Sequence, residues 1–79
     1  MIDRNKYILA KANGLEDRFR SDEISRRIAK KVPLSEQIAV LMDQDSKPAK
    51  YAAYQEFRRR VIDEVDAEIA VLEDELSRR

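Results

Sequence analysis

The sequence predicts an all-α protein in which a compact head of three short helices packs on the first part of one long C-terminal helix. Three observations carry that expectation. A single Gly and two Pro in 79 residues leave little to break helices, and an apolar share of 43% is enough for a small core. From Ala49 to Arg79 there is no Gly or Pro at all, and apolar side chains recur at helical spacing. Within that run Ile62, Val65, Ile69, Leu72 and Leu76 follow one another by 3, 4, 3 and 4, the step of a coiled-coil seam. Such a helix would be about 45 Å long, some three times the ordinary length. The chain reads as one helical domain, 1–79, with the short helices in 1–47 and the long one in 48–79. Its core must be small, because a chain this size buries only about 60–65% of its unfolded surface.

The first helix is expected over 3–13. Asp3 is its N-cap, with Ile2 and Tyr7 placed as a hydrophobic staple. Asn13-Gly14 is the stop, with Gly14 suited to a left-handed C′ position. Leu15 and Phe19 bracket a polar turn, Glu16-Asp17-Arg18, with Phe19 as an anchor on the core. Ser21 then caps a second helix over 22–32, whose apolar side is Ile24, Ile28 and Val32. Pro33 ends it, because the residue before a proline avoids the α region. Ser35 caps a third helix over 36–44, with Ile38, Leu41 and Met42 inward, Leu34 leading, and Val40 on the outer side. Asp43 to Lys47 is a polar turn, and Pro48 starts the long helix without loss of a hydrogen bond. Tyr51, Tyr54, Phe57 and Val61 form a second apolar stripe, offset from the seam, which should bury against Ile24, Ile28, Ile38 and Leu41.

Several function classes fall away. Without Cys or His there is no disulfide scaffold, zinc finger, thiol nucleophile or imidazole base. Nothing calls for a cofactor, and the carboxylates lack EF-hand spacing, so no metal site is expected. One Gly cannot make a phosphate-cradling loop. Pairs such as Asp63 and Asp66, or Glu64 and Glu68, share a helix side. They alternate with a seam on a rod, and no concave site is there to raise a pKa. The chain therefore reads as non-enzymatic. No apolar run is long enough to span a bilayer, and the N-terminus lacks the apolar stretch of a signal peptide. With the absence of Cys, this suits a cytoplasmic protein.

Charge is balanced overall but not along the chain. Met1 to Leu34 holds nine Lys/Arg against five Asp/Glu, and Tyr51 to Arg79 five against eight. The two halves could match each other within one molecule or offer two binding faces. Arg26, Arg27, Lys30 and Lys31 on the second helix, with Arg58, Arg59 and Arg60 on the fourth, are the candidate contacts for nucleic acid or another anion. An arginine triplet in a long helix is ordinarily a solvated face. The third helix, placed like a recognition helix, has no Lys or Arg outside its core positions, which is poor for phosphate or guanine.

Lys6-Tyr7-Ile8, then Asp17-Arg18-Phe19 through Glu23-Ile24 to Arg27-Ile28, Leu34-Ser35-Glu36 and Glu64-Val65-Asp66-Ala67-Glu68 resemble small helical proteins of unknown role from phages and prophages of Gram-positive bacteria. The resemblance implies a cytoplasmic, virus-related accessory or structural protein, and it assigns no site residues.

The leading expectation is an interaction or assembly protein whose interface is the seam Ile62, Val65, Ile69, Leu72 and Leu76. The short helices should not reach the far end of the rod, which leaves Ile69, Leu72 and Leu76 for self-association or for another protein. Acidic flanks at Asp66, Glu68, Glu73 and Glu75 oppose a parallel pair in register. An offset or antiparallel dimer would bring them toward Arg58, Arg59 and Arg60 of the second copy. The alternative is a small nucleic-acid-associated regulator that uses the basic second helix.

Overall fold

In the computed structural model, which describes residues 1–78, four helices follow one another with no strand among the described residues: α1 (Arg4–Ala12), α2 (Glu16–Lys31), α3 (Leu34–Met42) and α4 (Pro48–Ser77). The long helix is present over its expected span, opened by Pro48, and it packs against the others. Asp3 caps α1, its side chain accepting the Lys6 N–H at 3.1 Å, and both staple residues, Ile2 and Tyr7, are buried. Gly14 takes a φ of 69°. The Leu15 N–H donates to Ala10 O at 2.8 Å and the Gly14 N–H to Lys11 O at 3.1 Å, which closes the end of α1 as a Schellman turn.

Two starting points differ from expectation. Neither Ser21 nor Ser35 caps a helix: α2 begins at Glu16 behind Leu15, and α3 begins at Leu34 behind Pro33. The polar stretch Glu16-Asp17-Arg18 is the first turn of α2, where its two carboxylates favour the positive end of the helix dipole. Phe19 thus sits on a helix, its ring 5.5 Å from that of Tyr7 in an edge-on arrangement.

This lengthening decides the architecture. A second helix of 16 residues is about 24 Å long rather than about 15 Å. Together the three shorter helices cover about the whole rod, in an outline of 52 × 18 × 17 Å. The head is not confined to the first part of α4. There α3 packs beside Tyr54, whose hydroxyl donates to Gln37 at 3.0 Å. Next, α2 runs antiparallel along the middle, and α1 lies against the far end, where Tyr7 and Lys11 both reach Glu73. One apolar cluster joins these levels: Ile2, Tyr7, Ile24, Ile28, Val40, Tyr54, Val61, Val65 and Leu72.

Candidate interaction surface

The expected seam is turned inward. Val65 is fully buried and Leu72 is 7% exposed. Ile62, Ile69 and Leu76 are half-buried and pack against the same core. The far end of the rod is therefore not left over. The reason is the longer α2, which carries α1 out to the level of Glu73 and Glu75.

The acidic flanks of the seam are taken up within the chain as well. Arg20 holds Asp66 through two bonds of 2.6 and 3.1 Å, Lys11 and Tyr7 hold Glu73, and Arg4 stands 3.6 Å from Glu75. At the centre Arg27 grips Glu68 with bonds of 2.6 and 2.9 Å, Glu64 at 3.0 Å and the buried Glu23 at 2.9 Å. Glu68 also accepts the Ile2 N–H at 2.9 Å. The Arg27 hydrogen bonds hold the Glu68 carboxyl down at about 2, and the Arg27 guanidinium is itself pushed further up. Asp66 and Glu73 are lowered mainly by Arg20 and Lys11 respectively. Burial, with the bond to Glu73, raises the Tyr7 phenol to about 12. The basic N-terminal half and the acidic long helix match inside one molecule. The carboxylates expected to meet Arg58, Arg59 and Arg60 of a second copy are already paired.

The candidate cations consequently divide. Arg27 is committed to the helix interface, and Arg26 is tied to Glu23. Lys30, Lys31, Arg58, Arg59 and Arg60 form no ion pair among the described residues. Lys31 lies over the Phe57 ring at 6.0 Å. These cations do not converge on one face: Lys30 and Lys31 flank Phe57 and Val61, whereas Arg58 and Arg59 stand beside Tyr51 and Ile62. No group of three or more metal-ligating side chains stands together among the described residues.

The apolar face that lacks a partner is on α3. Leu34, Ile38, Leu41 and Met42, expected inside, are 67%, 49%, 44% and 79% exposed, while Val40, expected outside, is 6% exposed. The cause is a choice between two sides of one short helix. The side carrying Val40 also carries Gln37, which donates to Val32 O at 2.8 Å and accepts the Tyr54 hydroxyl. These hydrogen bonds fix α3 on α4 by its more polar side and turn the more apolar one out. Beside it, Leu34 and Leu41 border a groove floored by Ile24, Ile28 and Tyr54. The other large exposed apolar side chains, Met1, Leu9, Leu15 and Val71, are spread over the N-terminus, α1, the N-cap of α2 and the far half of α4.

No protein-family model, characterised protein or solved structure matches the chain. Among the described residues no helix is long and apolar enough to cross a membrane.

Proposed function

We propose that the chain is a non-enzymatic protein-interaction or assembly element whose working surface is the outer face of α3. One observation carries this reading: four large apolar side chains share one side of a nine-residue helix and remain in solvent, although the chain had them available for its core. A contiguous exposed apolar patch on a small protein marks an interaction site more often than an accident of packing. A place where local pattern and tertiary packing disagree is where function is expected to have overridden folding. The resemblance to small phage and prophage proteins fits such an accessory role in the cytoplasm, and that assignment belongs to the same proposal.

The test is a photo-crosslinking side chain at position 38 in cells that make the full chain, compared with one at Asp63 on the solvent side of α4. Position 38 should yield a discrete adduct with polypeptide, and position 63 should not. Equal yields at the two positions would end the reading. The alternative, a nucleic-acid-associated regulator using Arg26, Arg27, Lys30 and Lys31, makes a different prediction. A labelled duplex of random sequence would then bind with an affinity that falls steeply as salt rises. With Arg27 engaged by Glu23 and Glu68 and Arg26 paired with Glu23, Lys30 and Lys31 are the two unpaired cations of that face.

A further inference from the structure

Resting on the reading of α3 as an interaction surface, we infer that Met42 is a modification site that governs it. Oxidation of its thioether to the sulfoxide by a peroxide weakens binding at the α3 face and leaves the fold intact. The chain has no Cys and two Met, so Met1 and Met42 hold all of its sulfur. Met42 is the last residue of α3 and is 79% exposed. Leu34, Ile38 and Leu41 all lie within about 100° of it around the helix, so its sulfur belongs to the apolar stripe. The other three side chains of that stripe are plain hydrocarbon and inert to peroxide. Met1 is as open, at 98% exposed, but it belongs to a different place. Its neighbour Ile2 is bound to Glu68, about 21 Å along α4 from the Tyr54 that anchors α3.

The reaction needs hydrogen peroxide and nothing else. The sulfur lone pair attacks one peroxide oxygen, the O–O bond breaks, and an S–O bond forms. Sulfur gives up two electrons, and the departing hydroxide takes a proton and leaves as water. A thiol-dependent reductase reverses the step, two thiols becoming one disulfide as the oxygen is released in water. Within a core such a change disrupts packing, but Met42 stands outside the apolar cluster. What fixes α3 to the rest of the chain is Val40 and the Gln37 hydrogen bonds, on the opposite side of the helix. The surface itself changes character. A sulfoxide places a strong hydrogen-bond acceptor among Leu34, Ile38 and Leu41, where a partner matched to hydrocarbon offers no donor. Stripping water from that acceptor should weaken binding by about 5- to 100-fold.

The experiment has two stages. First, the full chain is treated with hydrogen peroxide, and oxygen uptake at each methionine is followed by peptide mass spectrometry. Met42 should oxidise at a rate comparable with that of Met1, and the oxidised chain should keep its helix content and its urea midpoint. Second, the chain with the photo-crosslinking side chain at position 38 is oxidised, freed of peroxide and irradiated in a lysate of the cells in which it gives its adduct. Adduct yield should fall several-fold on oxidation. Met42→Leu, which retains Met1, should give the same yield before and after peroxide, and Met42→Gln should give a low yield without it. Equal losses in wild type and Met42→Leu, or no loss in either, would overturn the inference while the adduct keeps the reading of α3. A lower urea midpoint after oxidation would also overturn it, because lost binding would then follow from a lost fold. No adduct from the unoxidised chain ends the reading of α3 and the inference together.

Discussion

Replacing Glu68 with Gln should remove a large part of the acid sensitivity of this fold. Glu68 lies at the centre of the contact between α2 and α4, 18% exposed, with Arg27 on both of its oxygens and the Ile2 N–H on one. Its carboxyl is held at about 2 against an ordinary 4.5, chiefly by the Arg27 hydrogen bonds. A folded value below the unfolded one means stability that is present above pH 4.5 and lost as pH falls toward 2. That difference is worth about 3 kcal/mol in total, most of which is gone by pH ~2.5. A domain this small has only about 5 kcal/mol to lose, so the loss is readily measured. Glu23 and Glu64, the other carboxylates around Arg27, and the lowered Asp66 and Glu73 remain in both proteins and largely cancel in the comparison. Urea melts followed by circular dichroism at pH ~7, ~4 and ~2.5 give the difference directly. Glu68→Gln should start less stable at pH ~7 and lose about 2–3 kcal/mol less than wild type on the way to pH ~2.5. Equal losses in the two proteins would show that Arg27 does not hold this carboxylate in the folded state as described.

Other perturbations test the remaining levels of the fold. Leu72→Ala should cost about 2–5 kcal/mol in a urea melt, the range for a buried leucine with its cavity, whereas Leu41→Ala on the outer face of α3 should cost clearly less. Tyr7→Phe should cost about 1 kcal/mol through loss of the bond to Glu73. Because the Tyr7 phenol is raised to about 12, the stability tied to it is complete below pH 10 and is lost as pH rises through 12, so an ultraviolet titration of wild type should show a late phase that Tyr7→Phe lacks. Gly14→Ala meets open space but must hold a φ of 69°, so it should cost about 1 kcal/mol, read as a lower thermal midpoint.

The parts of the fold legible in the sequence are those set by local chemistry. Asp3, Gly14, Pro33 and Pro48 mark helix ends because capping, positive φ and the missing proline N–H act over a few residues. The start of α2 was hidden for a physical reason. Between Phe19 and Ile28 the positions that face α4 include Glu23 and Arg27, so a buried ion network interrupts the apolar period that would have extended the helix back to Glu16. That same omission made α2 too short to reach the far half of the rod and left the seam bare in expectation. The side of α3 that packs was equally out of reach. Gln37 and Val40 are a weaker apolar signal than Leu34, Ile38, Leu41 and Met42, and the bonds of Gln37 to the Val32 carbonyl and to the Tyr54 hydroxyl, 17 residues away, decide between them.

These two departures from expectation bear jointly on function. The acidic stripe of α4 would have opposed a parallel pairing of rods, yet it serves the monomer: Arg4 and Lys11 lock α1 onto it, and Arg20 and Arg27 lock α2. Because a charged belt around Val65 and Leu72 closes the rod, a partner that needed the seam would first have to displace α1 or α2. Either would expose the core, and displacing α2 would also leave Glu68 without Arg27, at a cost of up to about 3–5 kcal/mol for a buried pair. The α3 face has no such barrier, since its apolar side chains are already in solvent and its hydrogen bonds lie on the other side. Association through α3 is therefore compatible with a folded, unchanged monomer, and a disruptive charge at position 38 should separate binding from folding, where the same charge at position 72 would destroy both.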